Sequence, residues 1–331
     1  MKKPVSLSGI KPSGTPHLGN YLGFIKPALE MVQDYQALYF IADYHALTTV
    51  REPNRLVQQT YEVAATWLAL GLDPKQVVFY RQSDIPEVFE LAWILACIAP
   101  KGLLNRAHAY KAAVESNVTA GKSADEGINS GLFNYPVLMA ADILLFGTQV
   151  VPVGLDQVQH VETARDIAES FNRIYGSLLT LPEAMVQDNV KTIPGVDGRK
   201  MSKNYANIVP IFDHPDHIRK RIMRILTDSK RPADPKDPEK CAVFGIYRHF
   251  ASPEAVERMR RKYLQGGLAY SDMKLALFEQ LQSTFQDAAR RYDRFIGDHR
   301  QIEDILKRGA EKARQIAAPN LARIRQHIGI R

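Results

Sequence analysis

At 331 residues with 45% hydrophobic side chains, the chain is large enough for one α/β domain and a smaller appendage, and it has no apolar run of the roughly 18 residues that would suggest a membrane span. Two cysteines, Cys97 and Cys241, exclude a disulfide framework or a cysteine-built zinc site and fit a reducing cytoplasm. Met1-Lys2-Lys3 leads directly into a strand pattern, so neither a leader nor a transit segment is expected.

The first predicted element is a strand at Val5–Ser8. It runs into Ser8-Gly9-Ile10-Lys11-Pro12-Ser13-Gly14-Thr15-Pro16-His17-Leu18-Gly19-Asn20. Glycines 9 and 14 let the backbone turn beside a ligand, and Pro12 stiffens the turn. A helix starting near Leu18 would aim its unpaired N–H groups and positive dipole end at an anion over the loop. Gly19 clears space where an adenosine would lie against backbone. His17 and Asn20 offer donors to phosphate oxygens, and donors aimed at charge that grows in the transition state stabilise it selectively. Taken alone, the segment also fits an ordinary strand–turn–helix corner with His17 as a cap.

Alternation continues with a helix at 19–33, a strand at Ala37–Ala42, a helix at 54–71, a strand at Val77–Tyr80 and a helix at 86–98. The pattern predicts a parallel sheet with helices on both faces. The dinucleotide fingerprint and a full P-loop are both missing: Gly121-Lys122-Ser123 has Ser116 where the first glycine belongs. The polar segment Glu115–Ser130 reads as a mobile loop over the site, from which Lys111 or Lys122 would reach a phosphate.

In the next predicted helix, 131–145, Met139 and Asp142 are three apart and share a face. A lone carboxylate amid Met-Ala-Ala and Ile-Leu-Leu is costly unless paired, so Asp142 either meets a ligand or makes a buried structural hydrogen bond. The strand Val150–Val153 delivers Gly154-Leu155-Asp156-Gln157 at its carboxyl end, where open α/β sheets bind ligands; an acidic N-cap of the following helix, 157–175, is the plainer reading. His160 and Arg165 are expected to hold that helix in place.

Gly198-Arg199-Lys200-Met201-Ser202-Lys203 follows in a loop punctuated by Pro194, Gly195 and Gly198. Mobile lysines suit a leaving pyrophosphate, whose charge builds as the bond breaks, whereas a solvated basic loop is what a short charge run usually is. Paired with the first segment, the lysine loop reads as the second half of a site that grips a nucleoside triphosphate and moves its α-phosphate. Beyond it the strands stop, and helical periodicity resumes at 214–227, 253–264, 271–295 and 302–327. Residues 1–210 carry 18 Lys and Arg against 20 Asp and Glu, and residues 211–331 carry 25 against 16. The basic half suits a phosphate-backbone partner, with Arg219-Lys220-Arg221, Arg258–Lys262 and Arg290-Arg291 as candidate contacts.

His17-Leu18-Gly19-Asn20 resembles the HIGH signature of class I aminoacyl-tRNA synthetases, and Lys200-Met201-Ser202-Lys203-Asn204 resembles their KMSKS signature. Tyr135–Leu145, then Val151–His160 and Arg165-Asp166, are similar to the bacterial tryptophanyl-tRNA synthetases, with Met139-Ala140-Ala141-Asp142 the most specific part; the likeness covers nearly the whole chain. It implies a Rossmann-like catalytic domain over 1–205, a helical anticodon-recognition domain over 206–298, and a C-terminal helix over 299–331 packing back on the body. It implies ATP contacts from Lys11, Pro12, Ser13, Gly19, Asn20, Gly154, Leu155, Asp156, Ile193, Lys200, Met201, Ser202, Lys203 and Asn204, with Gly154 and Asp156 at the ribose. His17, Asn20, Lys200 and Lys203 would be catalytic. An indole has a large apolar face and one N–H with no acceptor. Asp142 would accept that N–H, Met139, Val151, Val153, Leu7 and Gly9 would line the pocket, His45 would stand near the ligand and Gln157 near the substrate amine.

Implied partners are ATP with Mg²⁺ on its phosphates and no protein ligand to the metal, L-tryptophan, and tRNA(Trp), which would be acylated on its terminal 2′-hydroxyl. A cytoplasmic homodimer is implied, with neither membrane nor DNA as partner. The chain departs from the family pattern in three places. Lys11 stands for a common Gln and is expected to reach a phosphate. Arg106-Ala107-His108-Ala109-Tyr110 replaces a Met-Thr-Gln-Phe segment and so removes a glutamine of the amino-acid pocket, and Asn204 replaces the last Ser of the lysine signature. Tyrosine-specific or other class I adenylating enzymes, and a non-catalytic tryptophan- or tRNA-binding paralogue, remain as alternatives.

Overall fold

A computed structural model describes residues 3–186 and 193–330, apart from the side chains of Asp156 and Asn204. Five parallel strands form one sheet in the order β3-β2-β1-β4-β5: β1 Val5–Ile10, β2 Gln36–Ile41, β3 Val78–Arg81, β4 Val150–Val153 and β5 Glu183–Val186. The chain winds outward from β1 to β3, then returns to the other side of β1 with β4. The carboxyl ends of β1 and β4 therefore flank the switch point, where a crevice opens in sheets of this kind.

Helices link the strands: α1 Leu18–Asn20, α2 Lys26–Met31, α3 Asp43–Ala46, α4 Pro53–Ala69, α5 Pro86–Ala96, α6 Lys101–Asn105, α7 His108–Thr119, α8 Ser130–Leu144 and α9 Val158–Tyr175. Between α1 and α2 the turns widen to a π-helix over Tyr21–Ile25, directly after the His17–Asn20 signature; such widened turns recur at functional sites. Side chains of β2 alternate between two cores, as strand geometry requires. Ala37, Tyr39 and Ile41 join Trp67 and Phe79 on one face, and Leu38 and Phe40 join Val137, Val151 and Ile167 on the other.

Among the described residues after 206 the α-helices are α10 Pro215–Met223, α11 Ala242–Tyr247, α12 Pro253–Gln265, α13 Tyr270–Gly297 and α14 His299–Ile328, and no named strand occurs there. Ile218, Phe244, Leu277 and Phe285 extend the first core without a break. α14 lies along the edge strand β3 and serves both cores, with Ile302 and Leu306 in one and Ala313 and Leu321 in the other. It thereby covers an edge that would otherwise offer unpaired backbone groups. Close approach depends on Gly309, where a Cβ would lie 1.7 Å from the Phe79 carbonyl oxygen. Ion pairs Arg81–Glu303 (2.9 Å), Arg314–Glu87 (2.9 Å) and Arg325–Glu90 fasten the same helix to β3 and α5.

Three elements differ from the sequence expectation. The Glu115–Ser130 segment is not one loop, because α7 runs through Thr119. This helix buries none of its residues and so shows no amphipathic stripe. β5 has only four residues, Glu-Ala-Met-Val, two of them poor strand formers. The six-residue α11 is too short for periodicity to reveal.

Candidate active site

β1 ends in the corner that carries residues 11–17. Gly14 sits at φ +124°, a conformation that favours glycine. The corner is tied by backbone to the chain beyond the lysine loop: Leu18 N–H donates to Val209 C=O (3.0 Å) and Ile211 N–H to Pro16 C=O (3.2 Å). Lys203 closes the ring, its Nζ donating to the Gly14 carbonyl at 2.7 Å. Segments about 190 residues apart in sequence thus meet at the carboxyl end of β1.

His17 is buried, and its Nδ1 has no hydrogen-bond partner among the described residues. Burial, with the Lys203 ammonium adding to it, lowers its pKa to about 4, so at neutral pH the imidazole is uncharged. Burial also lowers Lys203, to about 8. Asn20 Oδ1 accepts from the His17 N–H at 3.1 Å, which leaves the amide NH₂ of Asn20 to donate elsewhere. Pro12 is buried, Ser13 and Gly19 are half-buried, and Lys200 is exposed.

The lysine loop is closed by an isolated antiparallel bridge between Pro194 and Lys200. Ile193 and Met201 are buried beneath it, joined by Met201 N–H to Ile193 C=O at 2.8 Å. Asn207, a residue that sequence reasoning missed, pins the loop from below. Its Oδ1 accepts from Ser202 N–H (2.8 Å), and its Nδ2 donates to Lys200 C=O (3.1 Å) and to Asp197 Oδ1 (2.7 Å). Arg199 pairs with Asp197 and lies over the Tyr205 ring, so its charge is spent within the loop. Lys11 donates to Thr48 Oγ1 at 2.9 Å, toward the end of α3 rather than toward the turn it opens, and burial lowers its pKa.

On the other side of β1, Asp142 of α8 is almost fully buried. Its Oδ2 lies 2.9 Å from His45 Nε2, and Gln82 Nε2 donates to both of its oxygens at 2.9 Å. Burial raises the Asp142 pKa, while His45 and Gln82 act to lower it. Leu7 and Val151 are core residues of the same cluster, with Met139 and Val153 packed against it and only partly buried. Gly9 sits opposite Phe40 in the β1–β2 register.

β4 leads to Gly154 and then Leu155, which is 81% exposed at the mouth of the crevice. The side chains of Asp156 and Asn204 lie outside the described residues. Gln157 Oε1 is 2.7 Å from His160 Nδ1, and His160 Nε2 is 2.8 Å from the Tyr135 hydroxyl. Arg165 donates to Pro182 C=O at 3.0 Å. His160 and Arg165 therefore position α9. Tyr110 is turned away to Asp125 at 2.7 Å, and Lys122 is paired with Glu126 at 3.2 Å. The chief omissions of sequence reasoning were Gln82 and Asn207, neutral amides in stretches without any motif. The one signal for Gln82 was that a buried Asp142 must have donors.

The histidine–asparagine corner at the switch point and the lysine loop tied to it are the two signature segments of the class I synthetases, brought together. Residues 2–286 match the family described as tRNA synthetases class I (W and Y), and the chain belongs to that family. Within it, the chain is similar to the bacterial tryptophan–tRNA ligases: 51% identical to that of Pseudomonas aeruginosa and 50% to that of Pseudomonas putida, over 98% of this chain and 73% of each relative. Among solved structures, the tryptophanyl-tRNA synthetase of Campylobacter jejuni in complex with ADP and tryptophan superposes with a TM-score of 0.91. It is 44% identical and is covered over 100% of its length by 98% of this chain. The enzyme of Mycoplasma pneumoniae gives 0.83 at 28% identity, with 100% and 99% covered.

Proposed function

We propose that this chain activates L-tryptophan with ATP and transfers it to tRNA(Trp). The observation that carries this reading is the Lys203–Gly14 contact at 2.7 Å beside the buried His17, with the Asp142 carboxylate held on the other side of the same strand. In the first step a tryptophan carboxylate oxygen bonds to the α-phosphorus as the bond to pyrophosphate breaks. Positioning and charge stabilisation supply most of the acceleration. The neutral His17 and the Asn20 amide donate to phosphate oxygens as their charge grows, and Lys200 and Lys203 receive the departing pyrophosphate. A ribose hydroxyl of the tRNA then attacks the activated carbonyl and AMP leaves.

The proposed contacts to ATP are Lys11, Pro12, Ser13, Gly19 and Asn20, the lysine loop Lys200–Asn204, Ile193 and Gly154-Leu155-Asp156; those to tryptophan are Asp142, His45, Met139, Val151, Val153, Gln157, Leu7 and Gly9. Mg²⁺ is part of the proposal as ATP's counter-ion, and when bound it would supply positive charge against the triphosphate. Among the described residues no three His, Cys, Asp or Glu side chains gather around a cation site. Residues 206–298 are assigned to the anticodon on the resemblance to the family, and their 17 Lys and Arg against 13 Asp and Glu suit that assignment. A homodimer is part of the proposal: Trp93 on α5 leaves 73% of its surface open, and Tyr44, packed on Phe89, is also exposed. No described helix is long and apolar enough to cross a membrane, and a cytoplasmic location is proposed.

Pyrophosphate exchange into ATP, run with each amino acid in turn, tests the reading. Exchange is expected with tryptophan and is expected to drop at least about 100-fold in Asp142→Ala, which removes the acceptor of the indole N–H. Exchange with tyrosine alone, or none despite tryptophan binding, would sink it.

A further inference from the structure

We propose that Gln82 is a specificity-determining positioning residue: it aims the Asp142 carboxylate and so sets how strongly the site demands an N–H on its amino-acid substrate. The inference rests on the reading of Asp142 as the indole acceptor and extends it to a residue that touches no substrate.

Gln82 closes β3 in a short 3₁₀ turn, Gln82–Asp84, and is wholly buried. Its amide can face only one way. Tyr44 N–H donates to Oε1 at 3.2 Å, which forces Nε2 toward Asp142, where it reaches both oxygens at 2.9 Å. The turn and α3 are clamped together by Asp43, whose Oδ1 accepts from Ser83 N–H (3.0 Å) and Tyr44 N–H (3.1 Å). His45, from the same short helix, meets Asp142 Oδ2 at 2.9 Å. Asp43-Tyr44-His45 and Gln82-Ser83 therefore form one cradle, built from the ends of β2 and β3 around a carboxylate on α8.

Two consequences follow from the chemistry of that cradle. An isolated buried carboxylate tends to take up a proton, and a protonated acid has lost acceptor capacity. Donors from Gln82 and His45 oppose this and keep an acceptor in place. They also fix the plane of the carboxylate, so its remaining lone pairs point in set directions. A third N–H arriving along one of those directions is matched, and a substrate lacking it leaves the acceptor unpaired. Without the Gln82 amide the carboxylate is free to turn or to take a proton, and the demand for an N–H weakens.

The test compares L-tryptophan with 3-(3-benzothienyl)-L-alanine, in which sulfur replaces the N–H and the shape is nearly kept. Wild type should prefer tryptophan strongly in kcat/KM for pyrophosphate exchange. Gln82→Met, which keeps the volume and removes the donors, is expected to reduce that preference at least tenfold. The loss should fall on the tryptophan KM, with kcat/KM for the sulfur analogue within about twofold of wild type. Equal loss for both substrates, or no loss for either, overturns the proposal. Should Gln82→Met not fold, Gln82→Glu keeps the shape and puts a second carboxylate against the first; the same comparison and the same two outcomes apply. A wild type indifferent to the N–H overturns the Asp142 reading itself, and this inference with it, which is distinct from a wild type that discriminates and a Gln82 variant that discriminates equally well.

Discussion

Lys203 is a lysine whose charge is available only over part of the physiological range. Its side chain is pulled in against the Gly14 carbonyl, and burial brings its pKa down from 10.5 to about 8. Protonated below that value and neutral above it, it can meet a pyrophosphate as a cation only on the acid side. In the free enzyme, kcat/KM for ATP is therefore expected to fall as pH rises through about 8, since that parameter reports free-enzyme ionisations. Lys203→Arg, whose guanidinium stays charged, should abolish this alkaline limb while lowering the plateau. His17 should add no acid limb near the usual histidine range, because its pKa already lies at about 4. A pH profile measured at subsaturating ATP checks both. Residue identity alone singled out His17, Lys203 and Asp142 as candidates. It did not reveal that Lys11 turns to Thr48, or that Asp142 is already served by Gln82, because those depend on which side chains three separate elements bring together.

Among the elements, α14 has the most exacting fit. It crosses the edge strand β3 with Gly309 against the Phe79 backbone, so Gly309→Ala forces the helix off the sheet or the strand out of register. A cost of about 3 kcal/mol is expected from such overpacking, read as a lower denaturant midpoint with little change in slope. A midpoint equal to wild type would mean that α14 does not hold this contact in solution. Strands β1 to β4 were legible in sequence within a residue or two, since their apolar runs are bounded by turn residues. β5 was not, because pairing with β4 rather than its own composition makes it a strand. α7 was missed for the complementary reason: with nothing buried, it leaves no periodic trace.

At the scale of the whole molecule, charge divides the labour. Positive excess lies wholly in residues 211–331, while the proposed adenylating site draws on the ends of β1 and β4 and on the lysine loop. If the helical part carries the nucleic acid, tRNA affinity should fall at least about tenfold between 50 and 200 mM salt, whereas tryptophan-dependent pyrophosphate exchange should change little. Filter binding and exchange measured on the same preparation separate the two; parallel losses would place the tRNA contacts in the adenylating crevice instead. The most direct measurement concerns the joining of corner and loop. Tryptophan-dependent pyrophosphate exchange would be measured for wild type, His17→Ala, Lys203→Ala and the double variant. If the two groups share one triphosphate, as proposed, the expected result is a coupling of about 1 kcal/mol or more between the two substitutions. Strictly additive losses would contradict a single site made from residues 17 and 203.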